Sequence, residues 1–265
     1  MHITDIINKD RPTFSFEFFP PKSERASESL LETIKNLESL DPSYVSITYG
    51  AGGTTRERTH DLVENILETT SLTPIPHLTC VQHTEEEISN ILKRYSDKGI
   101  SNILALRGDT PKGDTHYDRS NDSFYFARDL VEFISTFNTS TLGEESKSFG
   151  IGVAGFPEGH PETPNRIKEM DYLKAKVDSG ADYICTQLFF DNHDFFDFRD
   201  RCELAGINVP IIAGIMPVTS ISGMQRMADL AAGSRFPAKL LKSIDRCNSD
   251  SDSVERVGIQ YATEQ

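Results

Sequence analysis

The chain has 265 residues, 27 basic and 41 acidic, for a formal charge of −14; like charges repel, which argues against a protein built to bind nucleic acid or an anionic membrane surface. Hydrophobic residues make up 37% of it and no run approaches the ~20 apolar residues needed to cross a bilayer, so a soluble protein is expected. Met1-His2-Ile3-Thr4-Asp5 has neither the basic nor the apolar stretch of a secretory signal. Cys80, Cys185, Cys202 and Cys247 are scattered without Cys-x-x-Cys spacing, which suits reduced thiols and a cytoplasmic location.

Short runs rich in β-branched and aromatic residues alternate with helical periods, the pattern of βα units around a parallel sheet. Seven strands are predicted, centred on residues 13–18, 44–48, 75–79, 102–107, 149–154, 182–187 and 210–215. Leu30, Leu31, Ile34 and Leu37 form the apolar stripe of a first helix, and Leu62, Val63, Ile66 and Leu67 that of a second. Thr84-Glu85-Glu86-Glu87 is a capping-box pattern, in which hydroxyl and carboxylate satisfy amides at a helix start. Thr163-Pro164 suits an N-cap followed by proline at the first helical position. Gly99, Gly180 and Gly206 stand where helices must stop, each shortly before an apolar strand. After Pro217, residues 219–232, 236–246 and 252–265 read as helix or loop, with Val254, Val257, Gly258 and Tyr261 on one helix face and no eighth strand. The expected fold is α/β, a (β/α)8 TIM barrel with seven strands evident, and a barrel of this kind takes ~250 residues. Either the tail fills the remaining gap or the barrel is incomplete at its C-terminus.

Strands of such a barrel deliver side chains to one face, where each meets its following loop. Glu17, in Phe16-Glu17-Phe18-Phe19-Pro20-Pro21, is a candidate proton donor, since burial beside aromatics raises a carboxyl pKa; the alternative is a glutamate on an outward strand face. Arg107-Gly108-Asp109 follows an apolar strand and combines a phosphate clamp, a residue allowing close backbone approach and a carboxylate able to stabilise a cation, or else forms a loop salt bridge. Gln187 offers an amide that both donates and accepts, suited to a heterocycle edge, or is a core glutamine satisfied by backbone. His77 and His160 lie in no His-Glu-x-x-His helix or Cys/His cluster, so no metal site is expected. Tyr49-Gly50-Ala51-Gly52-Gly53 lacks the dinucleotide-binding register and reads as a loop, and there is no Gly-x-Ser-x-Gly elbow of a serine hydrolase.

Taken together, Phe14-Ser15-Phe16-Glu17-Phe18-Phe19-Pro20-Pro21, Val45-Ser46-Ile47-Thr48-Tyr49-Gly50, Pro76-His77-Leu78-Thr79-Cys80, Leu106-Arg107-Gly108-Asp109, Gly155-Phe156-Pro157-Glu158-Gly159-His160-Pro161-Glu162 and Thr186-Gln187-Leu188-Phe189-Phe190-Asp191 closely resemble the methylenetetrahydrofolate reductase family, in order, from about Phe14 to Gln265. The resemblance implies a flavoprotein barrel in which NADH or NADPH reduces FAD and hydride then passes to methylenetetrahydrofolate in a ping-pong scheme, within one-carbon metabolism and methionine biosynthesis. By position, Glu17 resembles the general acid that opens the folate's imidazolidine ring, Asp109 the carboxylate favouring the iminium cation, and Gln187 the residue that meets folate and nicotinamide in turn; these three are the implied catalytic and substrate-contacting residues. Implied FAD contacts are Thr48, Tyr49, His77, Leu106, Arg107, Gly108, Asp109 and Ala127, with His160, Glu169 and Lys176 further along, and Arg107 and Lys176 as partners of the pyrophosphate. Phe126, Phe156 and Tyr172 occupy flavin-contact positions with altered side chains, and Gly223 replaces a glutamine that some members use toward substrate.

Residues 1–265 are thus expected to form a single catalytic domain, C-terminally incomplete and without a regulatory domain. The family's last strand, ending in a Phe-Tyr-Thr-Leu-Asn-Arg-like motif, is expected beyond residue 265. Homo-oligomeric assembly is expected, as are small-molecule partners with neither nucleic acid nor membrane. Two other readings stand beside the reductase: a truncated, catalytically impaired flavin-binding chain, and a barrel lyase acting on a carbonyl substrate.

Overall fold

The sequence alternation becomes seven parallel strands that follow one another in the sheet in chain order, β1 to β7. The computed structural model of the protein describes the chain except residues 10–11, 22, 50–52, 112–115, 143–147 and 232, and gives backbone alone at 53–55 and 230. The fold class is therefore the expected α/β one, with sequential parallel βα units. The glycine loop expected at 49–53 falls largely outside the described residues.

The chain forms two compact units, Met1–Val153 with Asp178–Asp182, and Ala154–Val177 with Tyr183–Gln265. The first contains α1 (Ile3–Lys9), β1 (Ser15–Phe18), α2 (Glu24–Glu38), β2 (Tyr44–Ile47), α3 (Gly53–Thr69), β3 (Pro74–Thr79), α4 (Glu85–Asp97), β4 (Asn102–Leu106), α5 (Ala127–Phe137) and most of β5 (Gly150–Gly155). Register sets its two sheet faces. Glu17 lies opposite Ser46, Ser46 opposite Ile75, His77 opposite Leu104 and Thr79 opposite Leu106. Because strand side chains alternate, these residues share one face, while Val45, Ile47, Leu78, Ile103 and Ala105 fill the other and are wholly buried. Burial on both faces is the condition of a helix-covered parallel sheet.

Helix α1, which the sequence reading does not anticipate, is tied to the start of β4. Ile3 N donates to Asn102 Oδ1 at 2.6 Å, and Asn102 Nδ2 donates to the Met1 carbonyl at 2.7 Å. Seven residues are too few for a helix to persist alone, so these contacts and the burial of Ile3 and Ile6 hold it. The capping box forms as expected, with Glu87 N donating to Thr84 Oγ1 at 3.2 Å and Thr84 N to Glu87 Oε2 at 2.8 Å. Gly99, Gly180 and Gly206 all stop helices with positive φ.

The second unit contains the end of β5, α6 (Arg166–Asp178, up to Val177), β6 (Tyr183–Thr186), α7 (Asn192–Leu204), β7 (Ile211–Ile212), α8 (Ile221–Leu230), α9 (Ala238–Asp245) and α10 (Ser251–Glu264). Two expectations need correction here. The strand at 210–215 shrinks to Ile211–Ile212, because beyond it the amide of Gly214 donates to a side chain, Thr186 Oγ1 at 2.9 Å, in place of a ladder carbonyl. The cap at Thr163-Pro164 moves to Asn165, whose Oδ1 accepts from Ile167 N at 3.0 Å and Lys168 N at 3.2 Å; an amide oxygen two residues before the first free N–H groups is placed to satisfy them. The tail, left open as helix or loop, is helical over α8, α9 and α10: Phe190, Val218, Met227, Leu240, Ile244 and Val254 form one buried cluster, with Val257 and Tyr261 against it. No helix among the described residues is long and apolar enough to cross a membrane.

Candidate active site

Glu17 is exposed over 46% of its side chain, yet burial of its carboxyl raises its pKa, a hydrogen bond from Ser46 opposing the shift in part. Both hold together because the head group is crowded by protein atoms while water still reaches the side chain. The flanking aromatics are not the cause the sequence suggests. Phe16 and Phe18 pair with Val45 and Ile47 and so point to the opposite face. Beyond Ser46, which lies directly across from it, Glu17 also meets His77 of β3, whose Nε2 is 3.7 Å from Glu17 Oε2. Burial pushes the His77 pKa down to about 3, so its ring is neutral near pH 7 and the pair is not an ion pair. A charged imidazole would depress the Glu17 pKa; a neutral one leaves it raised. His77 Nε2 is buried without a hydrogen-bond partner among the described residues.

Leu106 ends β4, and its carbonyl accepts from Cys80 N at 3.1 Å and Cys80 Sγ at 3.4 Å. Burial pushes the Cys80 thiol up to about 12, which makes it a packing group and not a nucleophile. Gly108 follows with φ +79°, and a Cβ there would come within 2.9 Å of both Thr79 Cβ and Val81 Cγ2; the conformation and the space each require glycine. Asp109 is exposed just beyond it, and Arg107 is half-buried. Phe126 is half-exposed immediately before Ala127, and its amide donates to Asp129 Oδ2 at 2.9 Å. Thr48 and Tyr49 follow β2: the Thr48 carbonyl accepts from Thr59 Oγ1 at 3.1 Å, and the Tyr49 hydroxyl lies 3.1 Å from His83 Nε2. Of the first unit's candidates, register and distance bring Glu17 and His77 together, while Arg107, Gly108 and Asp109 sit on the turn after β4.

In the second unit, Phe156 to Glu162 forms a braced turn. The Pro157 carbonyl accepts from Arg166 Nη1 at 3.0 Å and Arg201 Nη2 at 3.2 Å. Glu158, its side chain only 4% exposed, accepts from Arg235 N at 2.9 Å and Arg235 Nε at 2.8 Å. The Phe156 and His160 rings meet edge to face at 4.7 Å, and His160 N donates to Glu169 Oε1 at 3.0 Å. Glu169, Tyr172 and Lys176 are spaced i, i+3, i+7 on α6, which places them on one side of the helix. The other Glu169 oxygen, Oε2, is buried without a hydrogen-bond partner among the described residues; burial raises its pKa against the amide of His160 and the charges of Arg166, Arg201 and Lys176. Gln187 closes β6, its N donating to the Gly155 carbonyl at 2.8 Å and its Oε1 accepting from Leu188 N at 2.8 Å. Gly223 receives the α8 cap, donating to Ser220 Oγ at 2.9 Å.

Lys176 Nζ donates to the Ala154 carbonyl at 2.5 Å, and burial pushes its pKa from 10.5 down to about 8, Glu169 opposing. Between those two values the unfolded chain holds a proton that the folded chain has released, so the folded state gains stability as pH rises. Denaturation of the protein without added ligands should therefore show stability climbing from pH 8 toward 10.5 relative to Lys176→Met, which lacks the group; parallel profiles would refute this placement of the ammonium.

Sequence reading misses Ser46, Arg166, Arg201 and Arg235. Ser46 alone had a usable signal, since alternation in Val45-Ser46-Ile47-Thr48 sets it on the face away from the apolar positions. The arginines act on carbonyls and a carboxylate distant in sequence, which no local pattern encodes.

Comparison with known proteins gives these sites a context. Residues 2–265 match the sequence model of the family described as methylenetetrahydrofolate reductase. The chain is 40% identical over 248 residues to the 5,10-methylenetetrahydrofolate reductase of Escherichia coli, covering 94% of this chain and 78% of the relative. It is 38% identical over 271 residues to methylenetetrahydrofolate reductase (NADH) 1 of Arabidopsis thaliana, covering 99% of this chain but 44% of that relative's length. A solved structure of a Clostridium thermocellum protein described as binding two copies of 5-methyl-5,6,7,8-tetrahydrofolic acid superposes with a TM-score of 0.67 at 15% identity, covering 100% of this chain and 86% of the other, a likeness of fold. Together with the ordered motifs from Glu17 to Gln187, the match across residues 2–265 establishes that the chain belongs to the methylenetetrahydrofolate reductase family.

Proposed function

We propose that residues 1–265 form the catalytic domain of a FAD-dependent methylenetetrahydrofolate reductase, reducing 5,10-methylenetetrahydrofolate to 5-methyltetrahydrofolate with NADH or NADPH as electron donor. The observation that carries the reading is the family match over residues 2–265; the raised Glu17 carboxyl beside a neutral His77 gives it chemical content.

The residues fit a flavin. In the first unit His77 Nε2 is buried and unmet among the described residues, a condition costing ~1–3 kcal/mol unless a partner arrives, and a flavin presents such partners. In the first unit Thr48, Tyr49, His77, Leu106 and the Arg107-Gly108-Asp109 turn would hold it, with Phe126 and Ala127 at the start of α5. The family resemblance adds Phe156, His160, Glu169, Tyr172 and Lys176 as proposed contacts. A FAD held there would supply two-electron redox chemistry between the nicotinamide and the folate's one-carbon unit.

The chain's own residues orient and protonate. Glu17, with its raised pKa, holds a proton to higher pH than an ordinary carboxyl and gives it to the folate nitrogen that leaves as the imidazolidine ring opens. His77 stays uncharged and so does not draw that proton away. Asp109 stabilises the iminium cation by its charge, and Gln187 hydrogen-bonds folate and nicotinamide in turn, consistent with one leaving before the other binds. Lys176 would gain a proton on meeting a pyrophosphate, so FAD affinity should fall as pH rises past about 8, and Lys176→Met should bind more weakly without that dependence.

The direct test is the visible spectrum of desalted protein, reconstituted with FAD and treated anaerobically with NADH, then with methylenetetrahydrofolate. A bound flavin band that bleaches and then returns is expected; a protein that retains no flavin, or one that NADH bleaches and the folate never recolours, refutes the proposal.

A further inference from the structure

One basic side chain outside the family motifs grips the turn that follows β4. Arg119, on a single turn of 3-10 helix at Arg119–Asn121, donates from Nη1 to the Arg107 carbonyl at 3.3 Å and from Nη2 to the Gly108 carbonyl at 2.9 Å. These carbonyls belong to the two peptides on either side of Gly108, so one planar guanidinium holds both peptide planes, a task its forked donors suit and a lysine ammonium does not. Thr79 and Val81 pack the same glycine. The turn is thus gripped by side-chain packing and by hydrogen bonding together.

Arg119 is itself fixed. Its guanidinium lies 5.8 Å from the Tyr117 ring centroid, a cation–π distance. The Tyr117 hydroxyl donates to Asp122, whose other oxygen accepts from Gln82 N at 3.3 Å, and Asp118 accepts from Ser120 N at 2.9 Å to start the helical turn. Residues 117–122 therefore form a strap whose one long side chain reaches the turn. The Gly108 carbonyl belongs to the peptide that leads into Asp109, so the hydrogen bond to it sets the direction from which the Asp109 side chain departs.

We propose that Arg119 is a positioning residue that locks the Arg107-Gly108-Asp109 turn and thereby aims Asp109 at the reacting centre. The aim at folate rests on the reductase reading; the lock does not. Both are tested with Arg119→Ala and Arg119→Lys. In flavin-free protein, amide hydrogen exchange over residues 106–110 should accelerate at least about tenfold in Arg119→Ala, as a released turn opens more often; unchanged exchange would overturn the lock whatever the protein's activity. In FAD-reconstituted protein, Arg119→Ala should weaken FAD binding about tenfold, the loss of hydrogen bonds from a charged donor. It should also slow flavin reoxidation by methylenetetrahydrofolate by on the order of tenfold to a hundredfold, the scale of a small misplacement, while reduction by NADH per bound flavin stays within about threefold. Arg119→Lys and added guanidinium should each restore part of the folate step. Equal loss of both half-reactions with no such rescue would mark a merely structural role and overturn the aiming of Asp109. A wild-type protein that binds FAD but is never recoloured by folate would overturn the reductase reading and the aim together, leaving the exchange result to decide the lock.

Discussion

Glu17→Gln should bind FAD and be reduced by nicotinamide at close to the wild-type rate, yet return electrons to methylenetetrahydrofolate about 10²- to 10⁴-fold more slowly, the usual worth of a positioned general acid. The carbonyl of glutamine can still accept from Ser46, so the local geometry has a partner to keep. Its amide cannot give up a proton to the ring nitrogen. The pH profile separates this from simple damage. Because burial raises the Glu17 pKa above 4.5, the acid form survives to higher pH than an ordinary carboxyl and is lost as pH climbs through the raised value. The folate half-reaction of the wild type should therefore decline with rising pH on a limb absent from Glu17→Gln. Stability moves the other way. Above pH 4.5 the folded state holds the Glu17 proton more tightly than the unfolded one, so ionisation disfavours folding as pH rises, and Glu17→Gln should be no less stable than wild type at pH 7. Stopped-flow reoxidation across pH, beside thermal melts, measures both; a variant that lost the two half-reactions equally, or melted well below wild type, would remove Glu17 from the acid's role.

The largest effect on stability is expected from Gly258→Ala. Alanine favours helices over glycine by ~1 kcal/mol, so at an exposed position of α10 the change would stabilise. Here a Cβ would stand 1.7 Å from the Val218 carbonyl oxygen and 2.6 Å from its carbon. Backbone atoms cannot rotate out of the way, so α10 must move off the 218 segment, and overpacking of this kind costs about 1–3 kcal/mol or more. In a chain of this size ~3 kcal/mol lowers Tm by roughly 6–12 °C. The helix also carries the bonds that follow Gln187: Gln265 Nε2 donates to the Phe189 carbonyl at 2.7 Å and the Tyr261 hydroxyl to that of Phe190 at 2.6 Å. Tyr261→Phe removes only the second and should cost about 1 kcal/mol, well short of the glycine substitution. A Gly258→Ala protein melting within a degree of wild type would show that the close approach is not a constraint.

What the sequence by itself determined was whatever repeats locally or recurs as a motif. The alternation of apolar runs placed all seven strands, because burial on both faces of a parallel sheet demands runs that helices do not. Thr84 and Glu87 fixed the start of α4 through side chains three residues apart, and the motifs holding Glu17, His77, Arg107-Gly108-Asp109 and Gln187 pointed to the family. Tertiary structure decided the rest. It made α1 a helix through Asn102, a partner about a hundred residues away. It moved a cap from Thr163 to Asn165, since only the placed backbone reveals which N–H groups lack partners. Register set Ser46 across from Glu17 and showed that the flanking phenylalanines face away from its carboxyl. It also recruited Arg119, Arg166, Arg201 and Arg235 to hold turns whose sequences give no hint of them. Periodicity and capping are properties of neighbours along the chain, whereas a carboxyl's pKa and a guanidinium's acceptors depend on atoms that only folding brings within a few ångströms.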